Sequence, residues 1–222
     1  MSTPGQPVRP RDAASLIVYR RHGRGVEVLM GRRRREARFT PGVYVFPGGG
    51  MEPEDRTARP ASALVAPGRP AFGSPGQATA LAMAAVRETA EETGLVLGEP
   101  GDVGTAGGGW ALFRALGLAP PLHRLRYVGR AITPTASPHR YHARFFMVAS
   151  RYLTGRLGGD GELLDLRWVD AGAAVTHGLI DVTEAMLQEV SPCLADPRRA
   201  PLFFTYRGER SYRRRERSLI RH

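Results

Sequence analysis

Three glutamates near the middle of the chain have the chemistry and the spacing of a cation site. Glu88, Glu91 and Glu92 follow an alanine-rich apolar run, which predicts a helix whose positions i, i+3 and i+4 share one face. Like charges repel at this spacing, and the negative end of the helix dipole before Gly94 adds to the repulsion. A divalent cation would reverse both penalties, because hard cations prefer carboxylate oxygens. The simpler alternative is a solvated helix end with ordinary surface glutamates.

The string that contains these glutamates resembles the second half of the Nudix box, and Gly48-Gly49 resembles the first half. Residues 87–95 read Arg-Glu-Thr-Ala-Glu-Glu-Thr-Gly-Leu. Three features depart from the usual box. Residues 50–77 separate the halves, and Thr79 stands where a glutamate is usual, eight residues before the arginine. Thr89 also replaces a usual apolar residue. The interrupted box resembles the peroxisomal coenzyme A diphosphatase subgroup of Nudix hydrolases.

The Nudix resemblance implies a fold and a mechanism. The fold is an α/β/α sandwich with a mixed β-sheet and a catalytic loop-helix-loop. The three glutamates and the Gly49 carbonyl would bind Mg²⁺, with Mn²⁺ as a substitute, and a bound water would attack a diphosphate. Arg87 lies at i, i+4 from Glu91 and is expected to support that carboxylate rather than contact substrate. Glu88 or Glu91 could act as the general base, and Glu162 on a glycine-rich loop is a weaker alternative.

Two arginines before the glycine pair resemble the signature of coenzyme A-cleaving Nudix proteins. The matching positions are Leu29, Arg33, Arg38, Gly42 and residues 46–49, whereas Met30, Gly31 and Arg34 depart from the signature. Arg33 and Arg38 could contact the phosphates of a coenzyme A-like nucleotide. The alternative is an edge strand and loop that these charges keep soluble.

A third group of residues follows a Thr-Pro turn, where the same subgroup often carries a similar string. Arg140 or Arg144 could hold a substrate phosphate, and Tyr141 could stack on a base. Residues 145–146 are two phenylalanines that are expected to fill the core. His139 and His142 have no companion ligands, so no catalytic or metal role is expected for them.

The charge of the chain admits two kinds of partner. The formal net charge is +11, and all 32 basic residues are arginines. Arginine suits bidentate phosphate binding, so a phosphate-rich small molecule and nucleic acid both fit, as does a bias in genomic base composition. The sequence carries no RNP-type aromatic string, zinc spacing or helix-turn-helix. We expect a small-molecule nucleotide substrate, with nucleic acid and a homodimer as open alternatives.

The 222 residues are expected to form one domain, with a core over about 12–206, an insertion at 50–77 and a mobile basic tail at 207–222. Strands are predicted at 13–19 and 26–30 as a hairpin, and at 43–46, 95–97, 125–132, 139–148, 162–169 and 201–206. Helices are predicted at 77–93, at 110–118 and at the closing segments 170–174 and 183–190, with a short turn of helix near 61–65. Residues 1–11 are expected to be a frayed arm.

The remaining features concern the compartment. Cys193 is the single cysteine, which excludes an internal disulfide framework, and no apolar run approaches a membrane span. We therefore expect a cytoplasmic protein without a membrane partner. The function predicted is Mg²⁺-dependent hydrolysis of a nucleoside diphosphate linked to another group, with coenzyme A or acyl-coenzyme A first. The alternatives are ADP-ribose or NADH as the substrate, mRNA cap removal, or a non-catalytic module that binds nucleotide or RNA.

Overall fold

The structure is a computed structural model that describes residues 8–36, 40–65, 71–172, 179–208 and 210–216. Its strands are β1 (Arg11–His22), β2 (Gly25–Arg33), β3 (Tyr44–Val45), β4 (Gly48–Gly50), β5 (Leu95–Leu97), β6 (Glu99–Pro100), β7 (Leu118–Ala119), β8 (Arg126–Ile132), β9 (Tyr141–Ala149), β10 (Leu153–Gly155), β11 (Leu163–Asp170), β12 (Leu202–Arg207) and β13 (Arg210–Arg215). Its α-helices are α1 (Pro75–Thr93), α2 (Trp110–Ala115) and α3 (Asp181–Ala195).

A mixed nine-stranded sheet forms the centre of the fold, as predicted. Seven strands run in the order β11-β2-β1-β9-β8-β12-β13, with β3 added to β2 and β4 added to β1. The pairs β1–β9 and β8–β12 are parallel, and the other pairs are antiparallel. The predicted hairpin is β1–β2, which closes on the turn between His22 and Gly25.

Two hydrophobic cores lie on the two faces of this sheet. Successive strand residues point to opposite faces, so Leu16 and Phe146 pack with α1, whereas Ile17 and Phe145 pack with α3. Both phenylalanines are buried, as the sequence predicts. Burial of apolar surface on both faces explains why the central strands β1 and β9 read as nearly continuous apolar runs.

Helix α1 positions the glutamates. The Ser74 side chain accepts a hydrogen bond from the Gln77 backbone N–H, and Pro75 occupies the first turn, so the helix starts two residues before the predicted Gln77. Gly94 ends the helix in the left-handed conformation, at φ 71°, as predicted. The alanine-rich middle of the helix is almost fully buried against the sheet.

The insertion differs from its prediction. A 3-10 turn forms at Pro53–Arg56, and the turn of helix predicted near 61–65 is absent from those residues. There the chain is irregular because Ala61 donates its backbone N–H to the Pro120 carbonyl and Ser62 forms a bridge to Pro121. Residues 66–70 lie outside the described part of the chain.

The C-terminal segment also requires a correction. Residues 210–215, which were predicted to belong to a mobile tail, form strand β13 on the edge of the sheet. This strand is held by α3, because Arg213 donates to Gln188 and Arg215 pairs with Glu189. Strand β11 extends through Asp170, and α3 includes the predicted helical residues 183–190. Residues 1–7, 173–178 and 217–222 are not among those described. Within the described residues, no helix has the length and apolarity needed to cross a membrane.

Candidate active site

The last turns of α1 face the glycine strand β4. Glu92 accepts a hydrogen bond from the Gly48 backbone N–H at 2.8 Å. Glu88 lies against Gly49, where an added Cβ would come within 2.5 Å of the Glu88 carboxylate carbon. Only glycine at this position therefore allows Glu88 to approach the strand. The two halves of the motif, separated by the insertion in sequence, are in contact in the fold.

Arg87 connects helix α1 to the glycine strand β4 and to the insertion. Its buried guanidinium donates to Asp55 through Nε and Nη2 at 2.8 and 3.1 Å, and Nη2 also donates to the Gly50 carbonyl at 3.0 Å. Nη1 lies 2.8 Å from Glu91 and 3.0 Å from Glu88. Burial alone would lower the pKa of Arg87, but the ion pairs with these three carboxylates outweigh it and raise the pKa. With its nitrogens bonded, Arg87 positions carboxylates and is not free for a substrate.

Asp55 is a member of the site that the sequence analysis missed. Its carboxylate is buried and also accepts hydrogen bonds from the Trp110 indole N–H at 3.1 Å and from the Glu52 backbone N–H at 2.8 Å. The resemblance expects an outer glutamate eight residues before Arg87, where the chain has Thr79. The structure supplies Asp55 instead, six residues after Gly49. Counting forward from the glycine pair rather than backward from Arg87 would have found it.

The pKa values of the three glutamates are raised in the folded protein. Burial raises the pKa of Glu88 to about 7, although Arg87 partly opposes the shift, and the neighbouring Glu91 adds to it. Burial likewise raises the pKa of Glu92 to about 8, against the Gly48 N–H bond that lowers it. The pKa of Glu91 is raised by burial as well. Each shift means that burial in the folded protein disfavours the ionised form.

The carboxylate groups of the three glutamates have the chemistry that a hard divalent cation prefers. Among the described residues, no three acidic, histidine or cysteine side chains are already arranged around a common metal position. The reason is visible in the contacts: Arg87 holds Glu88 and Glu91, and the Gly48 N–H holds Glu92. A cation would compete with these bonds for the carboxylate oxygens. It would also relieve the repulsion between the carboxylates and favour their ionised forms.

The glutamates line one end of a cavity of about 700 Å³. Arg33 and Tyr141 also line it. The Arg33 Nε is buried and has no hydrogen-bond partner among the described residues. The charge of the Arg33 guanidinium on the cavity lining suits an anionic group of a ligand.

A glycine-rich loop after β10 contributes to the lining of the same cavity. The Gly158 N–H donates to the Thr93 carbonyl and the Asp160 N–H donates to the Glu91 carbonyl, each at 2.9 Å. These bonds cap the C-terminus of α1 and bring the Asp160 and Glu162 side chains to the cavity lining. Glu162, the weaker base candidate from sequence, thus lies at the site.

Two other predicted ligands lie elsewhere. The Arg140 guanidinium donates to the Val8 and Thr133 carbonyls and does not line the cavity. Arg144 is buried, pairs with Asp12 and donates to the Ala71 and His142 carbonyls. Both guanidinium groups therefore bond to the backbone and, in the described residues, lie outside the lining of this cavity. Arg38 lies outside the described residues.

The histidines also stay away from the cavity. His139 and His142 are absent from the described lining residues. Burial lowers the pKa of His142 to about 3, and the charges of Arg144 and Arg130 lower it further. His142 is therefore neutral at physiological pH and serves as a partner of Arg130.

Comparisons with known proteins agree with this fold. A profile described as NUDIX domain matches residues 9–189. The crystal structure of a NUDIX hydrolase from Alicyclobacillus acidocaldarius is 30% identical, with a TM-score of 0.65 over 85% of this chain and 96% of that chain. The mutator MutT protein of Bacillus halodurans is similar in fold at 14% identity, with a TM-score of 0.50 over 91% of this chain and 97% of that one. No curated protein matched the chain.

We predict that Asp55→Asn lowers the free energy of unfolding by about 3–5 kcal/mol, because it leaves the buried Arg87 without its main counter-charge. Urea denaturation at neutral pH measures the change. The matched control is Asp102→Asn, which breaks the ion pair with Arg59 on the surface, where the side chains are 74% and 72% exposed. That variant should change stability by less than about 1 kcal/mol. Equal effects of the two substitutions would contradict a structural role for the Asp55 pair.

Proposed function

The chain belongs to the Nudix family and is a Nudix hydrolase, and on this premise we propose that it cleaves a diphosphate linkage in a nucleoside diphosphate joined to a second group. The observation that carries the proposal is that Glu88, Glu91 and Glu92 line the same cavity as the positively charged Arg33. Such a site offers carboxylates for a cation and a guanidinium for a phosphate.

The residues that would hold Mg²⁺ or Mn²⁺ are Glu88, Glu91, Glu92 and the Gly49 carbonyl. When bound, the metal neutralises the diphosphate and lowers the pKa of a water ligand. Arg87 keeps the Glu88 and Glu91 side chains on the cavity wall. Arg33 contributes positive charge toward the phosphates, and Tyr141 lines the cavity where it could pack against the rest of the substrate.

The base that accepts the proton of the attacking water is a separate role. Glu88 and Glu91 are bonded to Arg87, which makes their carboxylates less available for proton transfer. Glu162 lines the same cavity, and the hydrogen bond that it forms with Asp160 is donated by its backbone N–H and does not involve its carboxylate. We therefore assign the base to Glu162, on a loop that hydrogen bonds to the end of α1 hold in place.

The group attached to the diphosphate has two candidate identities. The arginine signature before the glycine pair favours coenzyme A or acyl-coenzyme A as the first candidate. A role of Arg33 in binding its phosphates needs this residue at the cavity, and Arg33 is among the lining residues. A different observation supports ADP-ribose or NADH. The first turn of α3 lines the cavity, and the Asp181 carboxylate there accepts a hydrogen bond from the Tyr206 hydroxyl at 2.5 Å. A carboxylate suits the hydroxyl or amino groups of a substrate and repels a further phosphate.

The experiment that tests the function is product release in Mg²⁺ from coenzyme A, ADP-ribose, NADH and capped RNA. We expect hydrolysis of at least one of the first three compounds at the diphosphate. Coenzyme A would yield 3′,5′-ADP and 4′-phosphopantetheine, and chromatography of the products locates the cleaved bond. Cleavage of the capped RNA alone would replace the proposed substrate class, and no turnover in either Mg²⁺ or Mn²⁺ would count against the proposal.

Glutamine substitutions should separate the metal ligands from the base. Glu91→Gln and Glu92→Gln should abolish hydrolysis and also remove the thermal stabilisation by Mg²⁺, because ligand binding stabilises the folded state. Glu162→Gln should lower kcat by about 100-fold or more and keep that stabilisation. Glu184→Gln, on α3 and outside the cavity lining, is the matched control and should leave both readouts unchanged. Activity retained in Glu91→Gln and Glu92→Gln would remove the metal assignment, and an active Glu162→Gln would remove the base assignment.

Asp181 is predicted to discriminate between substrates that differ by one phosphate. The pairs are NADH with NADPH and dephospho-coenzyme A with coenzyme A. Under the ADP-ribose or NADH alternative, we expect kcat/KM in each pair to favour the compound without the additional phosphate by about tenfold, and Asp181→Asn to reduce that preference. The Glu184→Gln control removes a charge from the same helix and should keep the preference. An unchanged ratio in Asp181→Asn would remove Asp181 from substrate selection and leave the hydrolase assignment intact.

A further inference from the structure

A second cavity, of about 310 Å³, lies away from the glutamates. Its walls are the start of β8, the end of β9 with the 3-10 turn at Ser150–Tyr152, and the last turn of α3. Helix α3 separates it from the catalytic cavity, because the first turn of this helix lines one cavity and its last turn lines the other. Fifteen helical residues span about 22 Å, so the two cavities cannot share a small ligand.

Positive charge dominates the second cavity. Its described lining includes Arg124, Arg126 and Arg151, and it includes no aspartate or glutamate. Arg124 lies 3.4 Å from Glu99, in a pair that is about 40% exposed on both sides and therefore weak. Neither Arg126 nor Arg151 is within ion-pair distance of a carboxylate of the described residues.

Each of these arginines is held in place by a neutral partner. Arg126 donates to the Cys193 and Asp196 carbonyls at the C-terminus of α3, which fixes its guanidinium without neutralising the charge. Arg124 and Arg151 both pack on the Tyr152 ring, with guanidinium carbons 4.5 and 4.6 Å from its centroid. Three guanidinium groups around one cavity, with little counter-charge, suit the binding of an anion.

The cavity also has an apolar part. Tyr19 and Leu194, both partly exposed, contribute to the lining beside the arginines. The volume exceeds what a free phosphate needs and lies at the small end of the range for small-molecule sites. Guanidinium groups bind phosphate, whereas apolar and aromatic side chains pack against a planar base.

We propose that this cavity binds a nucleoside monophosphate, with the phosphate between Arg124 and Arg151 and the base against the apolar wall. The site is independent of the proposed hydrolysis, because none of its lining residues belongs to the catalytic cavity. A nucleoside monophosphate is also the kind of product that hydrolysis of a nucleoside diphosphate linkage releases. Occupancy of the second cavity would then place the product at the far end of the helix that carries Asp181.

The experiment uses the full chain in EDTA, so that no divalent metal recruits nucleotide to the glutamates. AMP, adenosine and inorganic phosphate are titrated by calorimetry, and hydrogen exchange is followed with and without AMP. We expect AMP to bind at least about tenfold more tightly than either adenosine or phosphate. We also expect slower exchange in the peptides that contain residues 147–152 and 193–197.

Paired substitutions locate the binding. Arg124→Gln with Arg151→Gln removes two exposed guanidinium groups and should weaken AMP binding by at least about tenfold. The control is Arg207→Gln with Arg210→Gln, which removes the same charge from exposed positions on the β12–β13 edge, outside both cavities. If AMP binding weakened equally in both double variants, the effect would be due to net charge, and the proposed site would be wrong. Equal affinity for phosphate and AMP, or protection confined to the catalytic cavity, would overturn it as well.

Discussion

The buried guanidinium of Arg87 is the contact on which the active site depends. It joins the insertion through Asp55, the glycine strand through the Gly50 carbonyl, and its own helix through Glu91. A buried arginine is costly unless its nitrogens are satisfied, and here all three nitrogens are bonded. The same bonds set the positions of the carboxylates that face the cavity. The same contacts of Arg87 therefore determine both the stability of this part of the fold and the geometry of the site.

The sequence predicted those parts of the site that lie within short stretches. The helix, its terminal glycine and the shared face of Glu88, Glu91 and Glu92 follow from local spacing, and the structure has them. Asp55 could not be placed in the same way, because its partner Arg87 is 32 residues away and the insertion hides the relation. The contribution of Asp181 is further removed, since the contact of α3 with the cavity depends on tertiary packing.

The contacts of two predicted arginine ligands depend on the neighbouring chain. Arg140 and Arg144 match a family string in type and spacing, yet their guanidinium groups bond to backbone carbonyls and to Asp12. A local string fixes which residue occurs on a strand, but the neighbouring chain decides what its long side chain reaches. The predicted mobile tail failed for a related reason. Its exposed arginines suggested disorder, whereas pairing with β12 and the contact of Arg215 with Glu189 order it as a strand.

The distribution of charge explains more than its total. The chain carries a net +11, but the described lining of the catalytic cavity is acidic around Glu88, Glu91 and Glu92. A phosphate-bearing substrate therefore meets a basic exterior and an acidic interior. The exterior charge favours encounter with anions in general, whereas the carboxylates that line the cavity oppose the entry of a phosphate. The net charge of the chain thus says little about nucleic acid, because attraction at the surface is common to every phosphate-bearing ligand. Selection among such ligands has to come from groups inside the cavity, such as Arg33, Tyr141 and Asp181.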